Sequence, residues 1–263
     1  MSAMSILLYD TTISSAICGS GVVPINRSRF ENAYSSFLKT FFRALNPLKK
    51  KIIKTECQVH KQINQHALII LKNDRYDRQY AFYMKYLEAL NEGTVWADQD
   101  FKSSNHFYNP YQKKRGLYGR SNAMALTVDY YLKAVLLWKK GKIRESMFFL
   151  GAALHLIQDV TIPQHVNVRL LDDHRQFENF VKRTYQYTHT FRALQGAYVL
   201  STIENYVKFN SRTALKIYRR FRNVKNDESR YYRIARCTLP LAKRTTAGAM
   251  VLFYNKVVQR KEC

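Results

Sequence analysis

The sequence is short of the residues that punctuate a chain, with 9 glycines and 5 prolines among 263 residues. So few turn formers argue against a many-stranded protein and for long helices. Acidic residues are scarce too, 19 against 43 lysines and arginines, leaving a formal net charge of +24. Such a field attracts polyanions, phospholipid headgroups or nucleic acid, without choosing between them. No apolar run approaches the roughly 20 residues of a membrane span. The stretch 146–160 is apolar, but it is short and contains His155 and Asp159. Residues 1–26 hold no lysine or arginine, so the charged start of a standard export signal is missing. Four cysteines, Cys18, Cys57, Cys237 and Cys263, include no CxxC pair and are too few for a disulfide framework.

What is present is enough apolar material for a core: 46% hydrophobic and 14% aromatic residues, far from the profile of a disordered chain. Residues 1–54 read as an N-terminal, propeptide-like extension, broken by Gly19, Gly21 and Pro24 and closed by Pro47 and Lys49, Lys50 and Lys51. The spacing beyond it predicts helices over 59–72, 75–92, 122–140, 143–160, 174–190, 193–221 and 231–259, the last broken at Pro240. Residues 55–263 are therefore expected to form a single compact all-α domain. Its C-terminal part, from Lys208 to Cys263, carries 15 basic and 3 acidic residues, most of them read as a solvated helix face.

The informative residues are histidines and carboxylates. His155 and Asp159 stand four apart, so on a helix they project from one face and can share an ion. Pro163 ends that helix in this reading, and His165 follows. A second pair at the same spacing, His174 and Glu178, opens the next helix behind Asp172 and Asp173, either of which can cap it. Five nitrogen and oxygen donors thus fall within 24 residues. Zinc accepts such donors, and its catalytic sites keep a position for water.

The string His155-Leu-Ile-Gln-Asp159-Val-Thr-Ile-Pro163-Gln-His165, followed by His174-Arg-Gln-Phe-Glu178, resembles the metal-binding core of the bacterial zinc-dependent phospholipase C family. The resemblance extends to Ile63-Asn-Gln-His66-Ala-Leu, to Trp96-Ala-Asp98 with His106-Phe-Tyr-Asn-Pro110, and to Arg244-Thr-Thr-Ala-Gly248, covering roughly residues 55–260. It implies an all-helical fold and two or three Zn2+ ions per chain. Asp98, His106, His155 and Asp159 would hold one, His165, His174 and Glu178 a second, and His66 with a bridging Asp159 a third. Asp98 is the implied catalytic residue, as base or water orienter. His60 and His189 are left over as packing or surface residues. The family's N-terminal tryptophan, a ligand of its third zinc, has no counterpart before His66. Cys57 lies nine residues before His66 and, as a thiolate, could replace it; an unpaired cysteine is the plainer alternative.

The implied activity is hydrolysis of a phosphodiester: a secreted, monomeric phospholipase C that works on a phospholipid membrane surface and releases diacylglycerol and a phosphorylated headgroup. A zinc-dependent single-strand nuclease of similar helical fold is the alternative, since nucleic acid also suits a basic chain. The segment Val-Thr-Ile-Pro-Gln between Asp159 and His165 favours the lipase. A third reading is a non-enzymatic cationic membrane binder that keeps the fold.

Overall fold

The computed structural model describes residues 57–99, 106–111, 122–167 and 174–259. The extension at 1–54, the cap candidates Asp172 and Asp173 and part of the Asp98–His106 connection lie outside the described residues. Those described contain eight α-helices, one 3₁₀ turn and no strand. The helices are α1 (Gln58–Asn73), α2 (Asp77–Asp98), α3 (Ala123–Lys139), α4 (Ile143–Asp159), α5 (Pro163–Asn167), α6 (His174–Thr184), α7 (Ile203–Phe221) and α8 (Asp227–Val257), with the 3₁₀ turn at His189–Phe191. The all-α expectation holds.

Helix α4 is the axis of the fold. Every residue from 150 to 160 is buried, so the C-terminal part of this helix is enclosed on all sides, and its run of apolar residues is what allows that. It crosses α2 with backbone against backbone. A methyl group on Gly93 would lie 1.8 Å from the Phe148 carbonyl oxygen, and one on Gly151 would lie 2.0 Å from that of Leu90. Only glycine permits this approach on both helices. Thr94 sits at the same crossing and donates its hydroxyl hydrogen toward Leu90 O at 2.9 Å and Gly151 O at 3.2 Å. One turn beyond Gly151 comes His155, two turns beyond comes Asp159, and one turn beyond Thr94 comes Asp98.

The other helices close around this pair. Asn210 of α7 donates to Ile157 O of α4 at 2.9 Å and Thr245 Oγ1 of α8 at 3.1 Å, pinning three helices at a buried point. A second apolar cluster, including Ile63, Phe177, Phe180, Phe191 and Tyr231, joins α6 to α1 and α8 and so fixes the helix that carries His174 and Glu178. Side-chain caps start three of the helices, from Asn122, Thr202 and Asn226.

Several sequence expectations are corrected here. The helix expected over 75–92 continues through Gly93 to Asp98, because this glycine serves the helix crossing rather than a turn. Pro163 does not end α4, which stops at Asp159; it opens α5, where its missing N–H costs nothing. Helix α6 ends at Thr184 and α7 starts at Ile203. The connection 192–202 is not helical; within it Gly196 has φ +85°, and Asp74 accepts the amides of Gly196 and Ala197 at 2.6–3.0 Å. Finally, α8 begins at Asp227 and continues through Pro240 without interruption.

Candidate metal centre

Three elements bring the chemistry to the end of α4. Helix α2 delivers Asp98, held by Trp96, whose ring packs on Tyr130, Phe148 and Phe149. The extended residues 106–109 deliver His106; they are tied down by Tyr108 N donating to His165 O at 3.1 Å and by Phe107 stacked on the His165 ring. Helix α4 itself supplies His155 and Asp159. Across the turn, α5 and α6 supply His165, His174 and Glu178.

Seven of the eight ligand residues expected from the sequence fall into this assembly. Asp98, His106 and His155 have donor atoms within 4.8 Å of one another, as do His165, His174 and Glu178. The individual approaches are close. His106 Nδ1 lies 2.8 Å and His155 Nε2 3.1 Å from Asp159 Oδ2. His174 Nε2 lies 3.0 Å from His165 Nε2 and 3.2 Å from Glu178 Oε1.

His66 does not join them. It lies on α1 with Nδ1 on the Gln62 carbonyl at 2.8 Å and its ring edge-on to Tyr185. His60, expected to be a packing residue, stands in the cluster instead. Its Nε2 is 3.5 Å from Asp159 Oδ1, its ring centroid is 4.3 Å from that of His155, and it forms a third donor group with His155 and Asp159. His189 is exposed at the start of the 3₁₀ turn. The signal that finds His60 is the apolar stripe of α1. The buried residues Ile63, Asn64, Ala67, Leu68, Ile70 and Leu71 define one face, and at about 100° per residue His60 falls at its centre while His66 falls roughly 120° away.

The orientation of His60 is set by a buried amide chain. Gln158 Nε2 donates to Asn64 Oδ1 at 2.9 Å and Thr246 Oγ1 at 3.2 Å, which leaves its carbonyl oxygen facing His60 Nδ1 at 2.8 Å. The hydrogen therefore sits on Nδ1 and the lone pair on Nε2, toward Asp159. Outer partners of this kind fix the tautomer of a metal-binding imidazole.

Charge in the cluster follows from the same geometry. Burial opposes ionisation of Asp159, but His155, His165 and His106 around it outweigh that and hold its carboxyl well below the usual range. Burial also opposes ionisation of Asp98, again overcome by His155, with Cys57 and His60 assisting. His165 is pushed down to about 4, first by burial and then by the neighbouring His174. It is thus a neutral imidazole at neutral pH, the form that binds metal.

Whether these residues suit metal ions can be judged from their unmet bonding. Both ring nitrogens of His155, Asp159 Oδ2 and His165 Nδ1 are buried with no hydrogen-bond partner among the described residues; the close approaches to Asp159 lack hydrogen-bond alignment. Buried polar atoms left so are costly. A tetrahedral ion with bonds of about 2.0–2.1 Å sets its donors about 3.3 Å apart, and the separations here run from 2.8 to 3.5 Å. The donor set is nitrogen and oxygen throughout, so the residues fit zinc.

Comparison with known proteins agrees with this chemistry. The family described as zinc dependent phospholipase C matches residues 59–234. The chain is 27% identical to a phospholipase C of Listeria monocytogenes over 179 residues, covering 64% of this chain and 60% of that protein. It is 23% identical to a phospholipase C of Clostridium perfringens over 233 residues, covering 75% of this chain and 58% of that one. It thus spans about 60% of the length of these relatives. Among solved structures, the alpha toxin of Clostridium absonum superposes with a TM-score of 0.68 at 20% identity, covering 78% of this chain and 65% of the toxin, a likeness of fold. On the match across two thirds of its length, the chain belongs to the zinc-dependent phospholipase C family.

Proposed function

We propose that the protein is a zinc-dependent phospholipase C that cleaves the glycerol-side phosphoester of glycerophospholipids at a membrane surface, giving diacylglycerol and a phosphorylated headgroup. The observation that carries this reading is the pair of converging donor groups, Asp98/His106/His155 with Asp159, and His165/His174/Glu178, on the fold of that family. Bound zinc ions would neutralise the non-bridging oxygens of the phosphodiester and lower the pKa of a water.

The chain's own residues divide the remaining work. Asp159 is buried and ringed by imidazoles, so its role is to hold charge together at the centre. Asp98 is half-buried at the end of α2 and is kept ionised by His155, which suits it to orient the attacking water and accept its proton. A direct bond to metal would lower its basicity, so ligand and base are competing roles for this carboxylate. His60 replaces His66 in the ligand set we propose. The positive charge of the chain, +24, would concentrate it on anionic lipid.

Among the described residues no helix is long and apolar enough to cross a membrane, and we take the protein to act from outside the bilayer as a secreted monomer. Residues 1–54 are taken as a propeptide-like extension of the catalytic domain at 55–263. Hydrolysis of phosphatidylcholine vesicles and single-stranded DNA is to be measured side by side, for the chain and for Asp98→Asn. Diacylglycerol release that falls at least about 100-fold in the variant supports the proposal. Cleavage of DNA with intact lipid would move the assignment to the nuclease reading.

A further inference from the structure

We infer that the outer face of α7 is where the chain meets the membrane: Lys208, Arg212, Lys216, Arg219 and Arg220, with Phe209 among them, form a docking strip for anionic phospholipid. The inference rests on the membrane substrate proposed above and adds to it the surface that holds the bilayer.

Helix α7 has two distinct sides. Tyr206, Val207, Ala214 and Leu215 are buried against the rest of the fold, whereas the five basic residues and Phe209 are exposed. At about 100° per residue these exposed positions fall within an arc of roughly 120°, and from Lys208 to Arg220 they run for about 18 Å. No acidic residue shares the arc, since Glu204, the one acid of α7, stands in the first turn outside it. None of the five basic side chains makes an ion pair among the described residues. Lys208, Arg212, Lys216 and Arg220 moreover follow one another at steps of four, and like charges at that spacing destabilise a helix. Facing water alone, such a row only costs stability. Against an anionic surface each charge becomes an attraction.

The neighbouring residues favour lipid as that surface. Phe209 meets the exposed Tyr198 edge to face, with ring centroids 5.8 Å apart, and Val199 is exposed next in the chain. Aromatic and aliphatic groups set beside lysine and arginine suit the headgroup layer, where the apolar parts enter and the charges stay at the phosphates. A convex helix face also fits a flat bilayer, whereas single-stranded nucleic acid is held in grooves. Helix α7 packs against α5, which carries His165, so the strip is one helix removed from the metal centre. At physiological salt a charge acts over about 8 Å, so basic residues elsewhere on the chain contribute little to a contact made here.

The test is sedimentation of the full-length chain with vesicles of phosphatidylcholine containing phosphatidylserine, at physiological salt, with single-stranded DNA binding measured in parallel. Each basic residue at an anionic surface is worth about fivefold in partition, so Lys208→Gln/Arg212→Gln/Lys216→Gln should bind on the order of 100-fold more weakly. Glutamine forms helix about as well as lysine or arginine, and far-ultraviolet circular dichroism should be unchanged. The control Lys139→Gln/Lys140→Gln/Lys142→Gln removes the same charge from exposed residues at the start of α4, the opposite end from Ile157, which Asn210 of α7 contacts. It should lose less than about fivefold. Equal losses in the two variants would assign binding to net charge and overturn the strip, as would full binding by the α7 variant. Retained vesicle binding with lost DNA binding in that variant overturns lipid as the occupant in favour of nucleic acid. A parent chain that does not sediment with these vesicles overturns the strip whether or not it releases diacylglycerol; binding with the predicted loss but no diacylglycerol release supports the strip and overturns the phospholipase reading alone.

Discussion

Replacing Gly151 by alanine tests how the fold builds the site. The new methyl carbon would stand 2.0 Å from the Leu90 carbonyl oxygen and 2.8 Å from its carbon, against 3.4 Å for an ordinary contact. The obstacle is backbone, so it cannot rotate away, and α2 and α4 must part by about 1.4 Å on this line of approach. Overpacking of this kind costs up to about 3 kcal/mol, while alanine in a helix gains about 1 kcal/mol over glycine. The net loss is about 2 kcal/mol, which lowers the melting temperature by roughly 4–8 °C in a domain of this size. The same displacement acts on the site, because Asp98 rides on α2 and His155 and Asp159 ride on α4. Misplacement by about 1 Å can cost on the order of 100-fold in activity. Differential scanning calorimetry with metal analysis by mass spectrometry reads both effects. A melting temperature that rises, as helix propensity alone would have it, would refute the close crossing.

Three further outcomes follow from named contacts. His60→Ala should lose a bound zinc ion per chain whereas His66→Ala should not, measured by metal analysis after gel filtration; equal losses would contradict the placement of α1. Gln158→Leu should free the His60 ring and weaken zinc retention by about 10–100-fold in chelator competition, with far-ultraviolet circular dichroism unchanged. Lys243 is almost fully buried, donating to Phe191 O at 2.6 Å, and burial pushes its pKa down to about 8. Its folded value lies below the unfolded one, so at this lysine the unfolded chain binds more protons between about pH 8 and 10.4, and the contribution of Lys243 to stability should rise across that window by about 3 kcal/mol. Urea unfolding at several pH values, compared between the chain and Lys243→Met, should show a difference in stability that grows by that amount across the window; a difference that does not change with pH would refute it.

Much of this was readable from the sequence, for physical reasons that also explain what was not. The pairs His155/Asp159 and His174/Glu178 are legible because spacing by four residues settles which side chains share a helix face, whatever the rest of the chain does. The same reasoning applied to α1 points to His60, yet a histidine at the N-terminal edge of a helix carries no apolar neighbour before it to mark the stripe. Gly93 falls where the sequence places a helix end and Gly151 falls inside an expected helix, and only the crossing partner reveals that both admit another backbone. Pro163 illustrates the converse, a residue that reads as a stop but serves as a start, because its role depends on the turn that Asp159 closes by accepting from Ile162 N at 2.9 Å. Asp74, which takes the amides of Gly196 and Ala197 from 122 and 123 residues away, has no local signature in the segment where the helix expected over 193–202 is absent.

The most direct test of the central claim is diacylglycerol release from phosphatidylcholine vesicles by the purified chain, first stripped of metal with a chelator and then titrated with Zn2+. Release that is abolished by stripping and restored as two or three equivalents of zinc return is the predicted result. Release that persists in the metal-free chain, or vesicles left intact at full zinc occupancy, would contradict the account.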